Sequence, residues 1–128
     1  MSNCLEDALS FEEHDLLMKG LNVGGDPNCL KQLVDKGIDL NQVIDESHYL
    51  HPIHWACGYG NLEAVKILLD AGEDINVKDG GMYEYTPLDH AVKHKHITLA
   101  KYLLEKGAEK TEWTEFLLDE NELKELLG

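Results

Sequence analysis

Apolar residues along this chain come in short bursts separated by polar and turn-forming stretches. Purely apolar runs reach about three residues, as at Ile67-Leu68-Leu69. The bursts have helical spacing. Leu62, Val65, Ile67, Leu68 and Leu69 form a stripe with Glu63 and Asp70 outside it, which predicts an amphipathic helix. Asn61 stands where it can cap that helix, and Gly72 stands where a residue of positive φ ends it. Leu88 and Ala91 mark one face of a shorter helix, started by Thr86 as cap and Pro87 at the first helical position. Between the two, "EDINVKDGGMYEY" reads as a turn-rich extension with a hairpin-like tip at Gly80-Gly81.

The pattern returns at a fixed interval. "LVDKGIDLN", "LLDAGEDIN" and "LLEKGAEKT" place Gly37, Gly72 and Gly107 35 residues apart, and Pro52 of "HPIHWA" precedes Pro87 of "TPLDHA" by the same 35. Two independent markers in step define a repeat. The expected fold is all-α: one solenoid domain of about four helix-turn-helix repeats with finger loops, over roughly residues 10–41, 42–76, 77–111 and a truncated 112–128. The outer repeats are irregular, as capping units should be. In the first, helices are expected from about Phe11 to Leu21 and from Asp26 to Lys36. In the last, Thr114-Glu115-Phe116 replaces Thr-Pro-Leu only 28 residues after Thr86, so its finger should shrink to a link around Glu112-Trp113. "ENELKELL" supplies a final short helix.

Charge narrows the partners. Lys and Arg total 11 against 25 Asp and Glu, a formal net charge of −14. Such a surface repels nucleic acid and anionic lipid and suits a basic protein partner. No stretch is long and apolar enough to span a bilayer, and the acidic start, "MSNCLEDALSFEEHD", lacks the pattern of a signal peptide. Cys4, Cys29 and Cys57 have no paired spacing and read as reduced thiols, which points to the cytoplasm or nucleus. No phosphate loop or nucleophile motif is present. The expectation is a monomeric, non-catalytic chain with no cofactor.

A unit with T-P-L-H-x-A, a glycine, an apolar second helix and a Gly-Ala…Asp-Val-Asn-like close resembles the ankyrin repeat, and "HPIHWACGYGNLEAVKILLDAGEDIN" is close to that consensus. The resemblance bears on His51, His54 and Cys57, whose spacing of three invites a metal reading. It implies that His51 stands at the helix-capping position and that His54 bonds loop backbone between neighbouring repeats. It places Cys57 at a small buried site. Three environments do not make four converging ligands, so no metal is expected there. His90, His94 and His96 form a second cluster, flanked by Lys93 and Lys95, which reads as an exposed, weakly basic patch.

Ankyrin-like stacks bind partners through finger tips and the exposed positions of their first helices. Carried onto this sequence, that implies a partner-binding face made of Asp45, Glu46, His48 and Tyr49 in one finger and Asp79, Met82, Tyr83, Glu84 and Tyr85 in the next. Trp55, Tyr59, His90, Lys93 and His94 would contribute from the helices, and Trp113 from the last link. Tyr and Trp suit such a face because they bury large area at low entropic cost. The layout of two regular central repeats, an irregular first one and a clipped last one, with "KGIDLN" and "LLEKGAEKT", resembles the myotrophin family. That resemblance implies binding and sequestration of heterodimeric actin capping protein; the alternative is an adaptor for another basic protein, such as a kinase, phosphatase or transcription factor subunit. Leu68, Asp74, Ile75 and Asn76 also resemble the ankyrin pattern that an oxygen-sensing asparaginyl hydroxylase modifies, which implies Asn76 as the modified residue.

Overall fold

The computed structural model describes residues 9–40, 42, 44 and 50–127. These residues form eight helices and no strand. In chain order they are α1 (Phe11–Leu21), α2 (Pro27–Asp35), α3 (Pro52–Gly58), α4 (Leu62–Asp70), α5 (Pro87–Lys93), α6 (Ile97–Glu105), α7 (Glu112–Leu117) and α8 (Glu120–Leu127). Each of the first three odd-numbered helices pairs with the next one, and the odd-numbered helices stack on one another in a row. In the other row, α2 packs on α4 and α6 on α8. The core runs between the rows as one continuous cluster from Leu17 to Leu126.

Local chemistry sets each start and stop. Ser10 accepts from the Glu13 N–H at 3.2 Å while the Glu13 carboxylate accepts from the Ser10 N–H at 3.0 Å, a reciprocal cap on α1. Asp26 caps α2 ahead of Pro27, and Asn61 caps α4 by accepting from the Ala64 N–H at 3.1 Å. Gly72 ends α4 with φ of +96°, and a β-carbon there would meet no atom within 4 Å. Glycine is therefore required at Gly72 by backbone conformation and not by lack of space.

Neighbouring repeats are tied by side chains bonded to backbone. The Asn61 amide donates to the carbonyls of Gly20 at 3.1 Å and Asn22 at 2.9 Å. One repeat later His96 holds the equivalent place, with Nε2 3.0 Å from the Gly58 carbonyl. Its ring lies so close to Gly60, itself at φ of +71°, that a β-carbon there would come within 2.6 Å of it. Asn76 accepts from the Glu109 N–H at 2.9 Å.

The last unit starts earlier than its sequence suggested. Thr111, not Thr114, is the N-cap of α7; its hydroxyl accepts from the Trp113 N–H at 3.2 Å, and Thr114 accepts from the Thr111 N–H at 3.2 Å. "TEWT" therefore fills the register of "TPLD", and Glu112-Trp113 belongs to the first helical turn instead of a link. Lys95 anchors this closing unit. It occupies the left-handed backbone region with φ of +63°, and its Nζ donates to the Leu117 carbonyl and to Glu122 at 3.1 Å. A non-glycine residue there carries a backbone strain of roughly 1 kcal/mol.

Candidate protein-binding surface

The motif position at the start of α3 and α5 is solved twice by different chemistry. His54 is buried, and its Nδ1 accepts from the His51 N–H at 2.9 Å. Nε2 must then carry the proton, and it donates to the Val77 carbonyl at 2.8 Å in the following finger. Burial lowers the ring's pKa to about 4, so His54 is neutral near pH 7. It therefore bonds loop backbone, as the resemblance implied. His51 itself gives α3 no side-chain cap, and its Nδ1 has no hydrogen-bond partner among the described residues.

Asp89 replaces that histidine in the next unit. A carboxylate cannot donate to a carbonyl, so it takes a hydroxyl instead. One oxygen accepts from the Thr86 N–H at 3.0 Å and the other from the Thr111 hydroxyl at 2.5 Å. Fully buried Asp89 thus links the cap of α5 to the cap of α7.

Between α3 and α5 lies a groove of about 400 Å³ lined by Leu50, His54, Trp55, Gly58, Tyr59, His90, Lys93 and His94. Trp55 and Tyr59 meet edge to face at 5.8 Å. Trp55 is half-buried, and its indole N–H has no hydrogen-bond partner among the described residues. The groove is therefore apolar and aromatic along one wall and carries His90, Lys93 and His94 on the other.

Beyond the groove, the second finger and the closing unit share an aromatic cluster. Tyr83 stacks on Tyr85 at 5.6 Å, Trp113 meets both edge to face at 5.2 and 5.4 Å, and Phe116 meets Trp113 at 5.6 Å. Lys93 lies 5.2 Å from the centre of the Tyr85 ring, a cation–π contact. Met82 is 88% exposed, Phe116 77% and Tyr83 53%. Large apolar side chains left this open make the cluster a candidate interaction surface.

The structure thus brings Trp55, Tyr59, His90, Lys93 and His94 together at one groove, and Tyr83, Glu84, Tyr85 and Trp113 around the aromatic cluster, with Met82 exposed on the same finger. Asp45, Glu46, His48 and Tyr49 lie outside the described residues. Three placements differ from the sequence expectation. Asp79 is interior: one oxygen lies 2.8 Å from His90 Nε2 and the other accepts from the Gly81 N–H at 2.9 Å, so it fastens the finger to α5. Trp113 stands on α7. His90, His94 and His96 are not one open patch, because His90 is held by Asp79 and His96 by Gly58, leaving His94 as the exposed ring. Burial lowers the His90 pKa against the raising pull of Asp79. Burial, Lys93 and His96 lower that of His94. Among the described residues, no three His, Cys, Asp or Glu side chains converge as metal ligands. Cys29 and Cys57 are buried free thiols, and no described helix is long and apolar enough to cross a membrane.

Sequence reasoning missed Phe116 as part of this surface. The misplaced start of the last unit hid it, because the Leu position of the motif was assigned to Phe116 when Trp113 occupies it. It also missed Glu73. This residue stands where the later repeat has buried Ala108; Glu73 is itself buried, and neither carboxyl oxygen has a hydrogen-bond partner among the described residues. Burial, reinforced by Asp39, pushes its pKa up to about 9.

Paired helices, extended fingers and bonds from each unit to the next define a helical-repeat scaffold of the kind that binds other proteins. The chain belongs to the ankyrin-repeat family: the family described as "Ankyrin repeats (3 copies)" matches residues 17–112. Domains of this kind are generally non-catalytic. The chain is 38% identical over 86 residues to the palmitoyltransferase AKR1 of Kluyveromyces lactis, covering 66% of this chain and 11% of that protein. It is 38% identical over 79 residues to BRCA1-associated RING domain protein 1 of Caenorhabditis elegans, covering 62% of this chain and 11% of that protein. It is 33% identical over 105 residues to the ARF GTPase-activating protein Git of Drosophila melanogaster, covering 81% of this chain and 13% of that protein. The chain thus spans only about a tenth of the length of the curated relatives it matches.

Proposed function

We propose that this chain binds and sequesters a basic protein through the aromatic cluster and the apolar wall of the groove between α3 and α5, where Trp55 and Tyr59 stand. The partner proposed is heterodimeric actin capping protein, in the cytoplasm. The observation that carries the binding reading is the set of exposed aromatic and apolar side chains, Tyr59, Met82, Tyr83 and Phe116, on a chain of net charge −14. The choice of capping protein rests on the layout of the repeats and on charge. A protein that holds acidic actin must present basic surface, and an acidic competitor can occupy it.

The test is actin assembly. Added to capped filaments, the chain should restore barbed-end growth in a dose-dependent way. Its association with capping protein should slow as salt rises, because charges are screened over ~10 Å at 0.1 M salt. Tyr83→Ala should speed dissociation, since Tyr83 is open to a partner; Tyr85 is a poorer probe because it also holds Lys93. Capping left untouched by the folded chain refutes this partner. A second reading, an adaptor for a different basic protein, is favoured by the relatives: similar segments sit in proteins named as palmitoyltransferases, a RING domain protein and a GTPase-activating protein. Affinity capture with capping protein as competitor separates the two, because only the first reading has capping protein displace the captured partner.

A further inference from the structure

We propose that the cavity between the second finger and the start of α7 is an arginine pocket, which takes a single guanidinium side chain from the partner. It deepens the basic-partner reading above and rests on it for the source of the arginine. The cavity measures about 240 Å³, and its walls include Tyr83, Trp113, Glu84 and Glu112. The ring centroids lie 5.2 Å apart at an interplanar angle of 75°, an edge-to-face contact, and Tyr83 is exposed, so a cation reaches a ring face from the solvent side. The two carboxylates belong to exposed residues of the lining, one on the finger and one on α7.

A cation over aromatic faces and between carboxylates gains from both. The cluster already holds one cation from within the chain, Lys93 over Tyr85. Glu84 is held in the left-handed backbone region with φ of +48°, in a turn closed by its N–H to the Gly81 carbonyl at 3.2 Å. Glu84 is thus held in a turn of the finger whose flanking tyrosines stack on each other. Asp89 also lines the cavity, but its oxygens are already engaged by Thr86 and Thr111. Lys78 is the cavity's own cation, exposed and able to swing away, and it competes with an incoming one. Arginine fits better than lysine. Its planar, weakly hydrated guanidinium stacks on a ring while its fork of donors reaches carboxylates, whereas an ammonium in an open cavity keeps its water.

The test reads the Trp113 indole N–H signal of the full chain by NMR, assigned through Trp113→Phe. The probes are capped Gly-Arg-Gly, Gly-Lys-Gly and Gly-citrulline-Gly peptides. The arginine peptide should shift the signal saturably, and the lysine peptide should bind at least ~5-fold more weakly. Citrulline, the same shape without charge, should not saturate. Glu84→Gln with Glu112→Gln should weaken arginine binding by ~10-fold, and Lys78→Ala should tighten it, each variant first shown to keep a folded amide spectrum. A Trp113 signal that ignores arginine, an equal response to citrulline, unchanged binding by the double variant, or weaker binding by Lys78→Ala overturns the pocket. Arginine binding without relief of capped filaments upholds the pocket and overturns capping protein as partner. Relief of capping without an arginine response does the reverse.

Discussion

Replacing Glu73 by Ala should stabilise the protein, and by more as pH rises. In the unfolded chain the Glu73 carboxyl ionises with a pKa near 4.5, whereas burial in the folded chain pushes it up to about 9. Between those values the unfolded state binds fewer protons, so the contribution of Glu73 to stability falls with rising pH. It is fully present below about pH 4.5, declines through neutrality and is exhausted near pH 9. At one pKa unit per 1.36 kcal/mol, the loss by pH 7 is about 3 kcal/mol, a large share of the stability of a small domain. Ala108 shows that alanine fits the same place one repeat later. The assay is urea unfolding of both proteins from about pH 5 to about pH 8, with the difference between them as the readout, which cancels the titration of the histidines. The advantage of Glu73→Ala should grow by about 1 kcal/mol per pH unit, and Glu73→Gln should share the flat profile. Parallel pH profiles for the wild-type chain and the Glu73→Ala variant would show that Glu73 ionises in the folded state as easily as in water, and the reasoning would fail.

Three other outcomes can be checked on the same instruments. Gly72→Val should cost more than ~1 kcal/mol although nothing crowds the site, because a β-branched residue resists positive φ; an unchanged melting temperature would refute it. Thr111→Val leaves one oxygen of buried Asp89 without its hydroxyl partner and removes a helix cap, and should cost about 2 kcal/mol by urea unfolding. Asn76 should gain one oxygen in intact-mass measurement after incubation with an asparaginyl hydroxylase, oxygen and 2-oxoglutarate; an unchanged mass removes that idea.

The repeat was legible because two markers, the helix-ending glycine and the helix-starting proline, are backbone requirements that side-chain substitution cannot disguise. The helices of the first unit follow for the same reason: Ser10, Asp26 and Pro27 are local signals acting over a single turn. The start of α7 was misread because it carries no proline, and Thr111 and Thr114 are both able to cap. Only the tie from Asp89 to Thr111, 22 residues apart, decides between them. The binding face was legible as a set of residue types and not as a geometry. Asp79 reads as a finger charge until the fold brings His90 to it, and Glu73 looks like an ordinary surface acid until the fold buries it.

The bonds of Asn61, His54, Asn76, Asp89 and His96 each reach the adjoining unit and stop there. None of these contacts measures how many units the protein has. A gene duplication that inserted one further 35-residue segment between the central units would present each copy with a neighbour of the same backbone spacing, and bonds that end on backbone carbonyls or N–H groups, such as those of His54 and Asn76, would find their partners one step along. Overall length is therefore a quantity that mutation can change in whole segments without redesigning the interior. The α7–α8 unit is tied differently, since Lys95 reaches the Leu117 carbonyl and the Glu122 carboxylate through its long side chain. Lineages related to this chain should vary more readily in the number of middle segments than in the residues that make these two bonds.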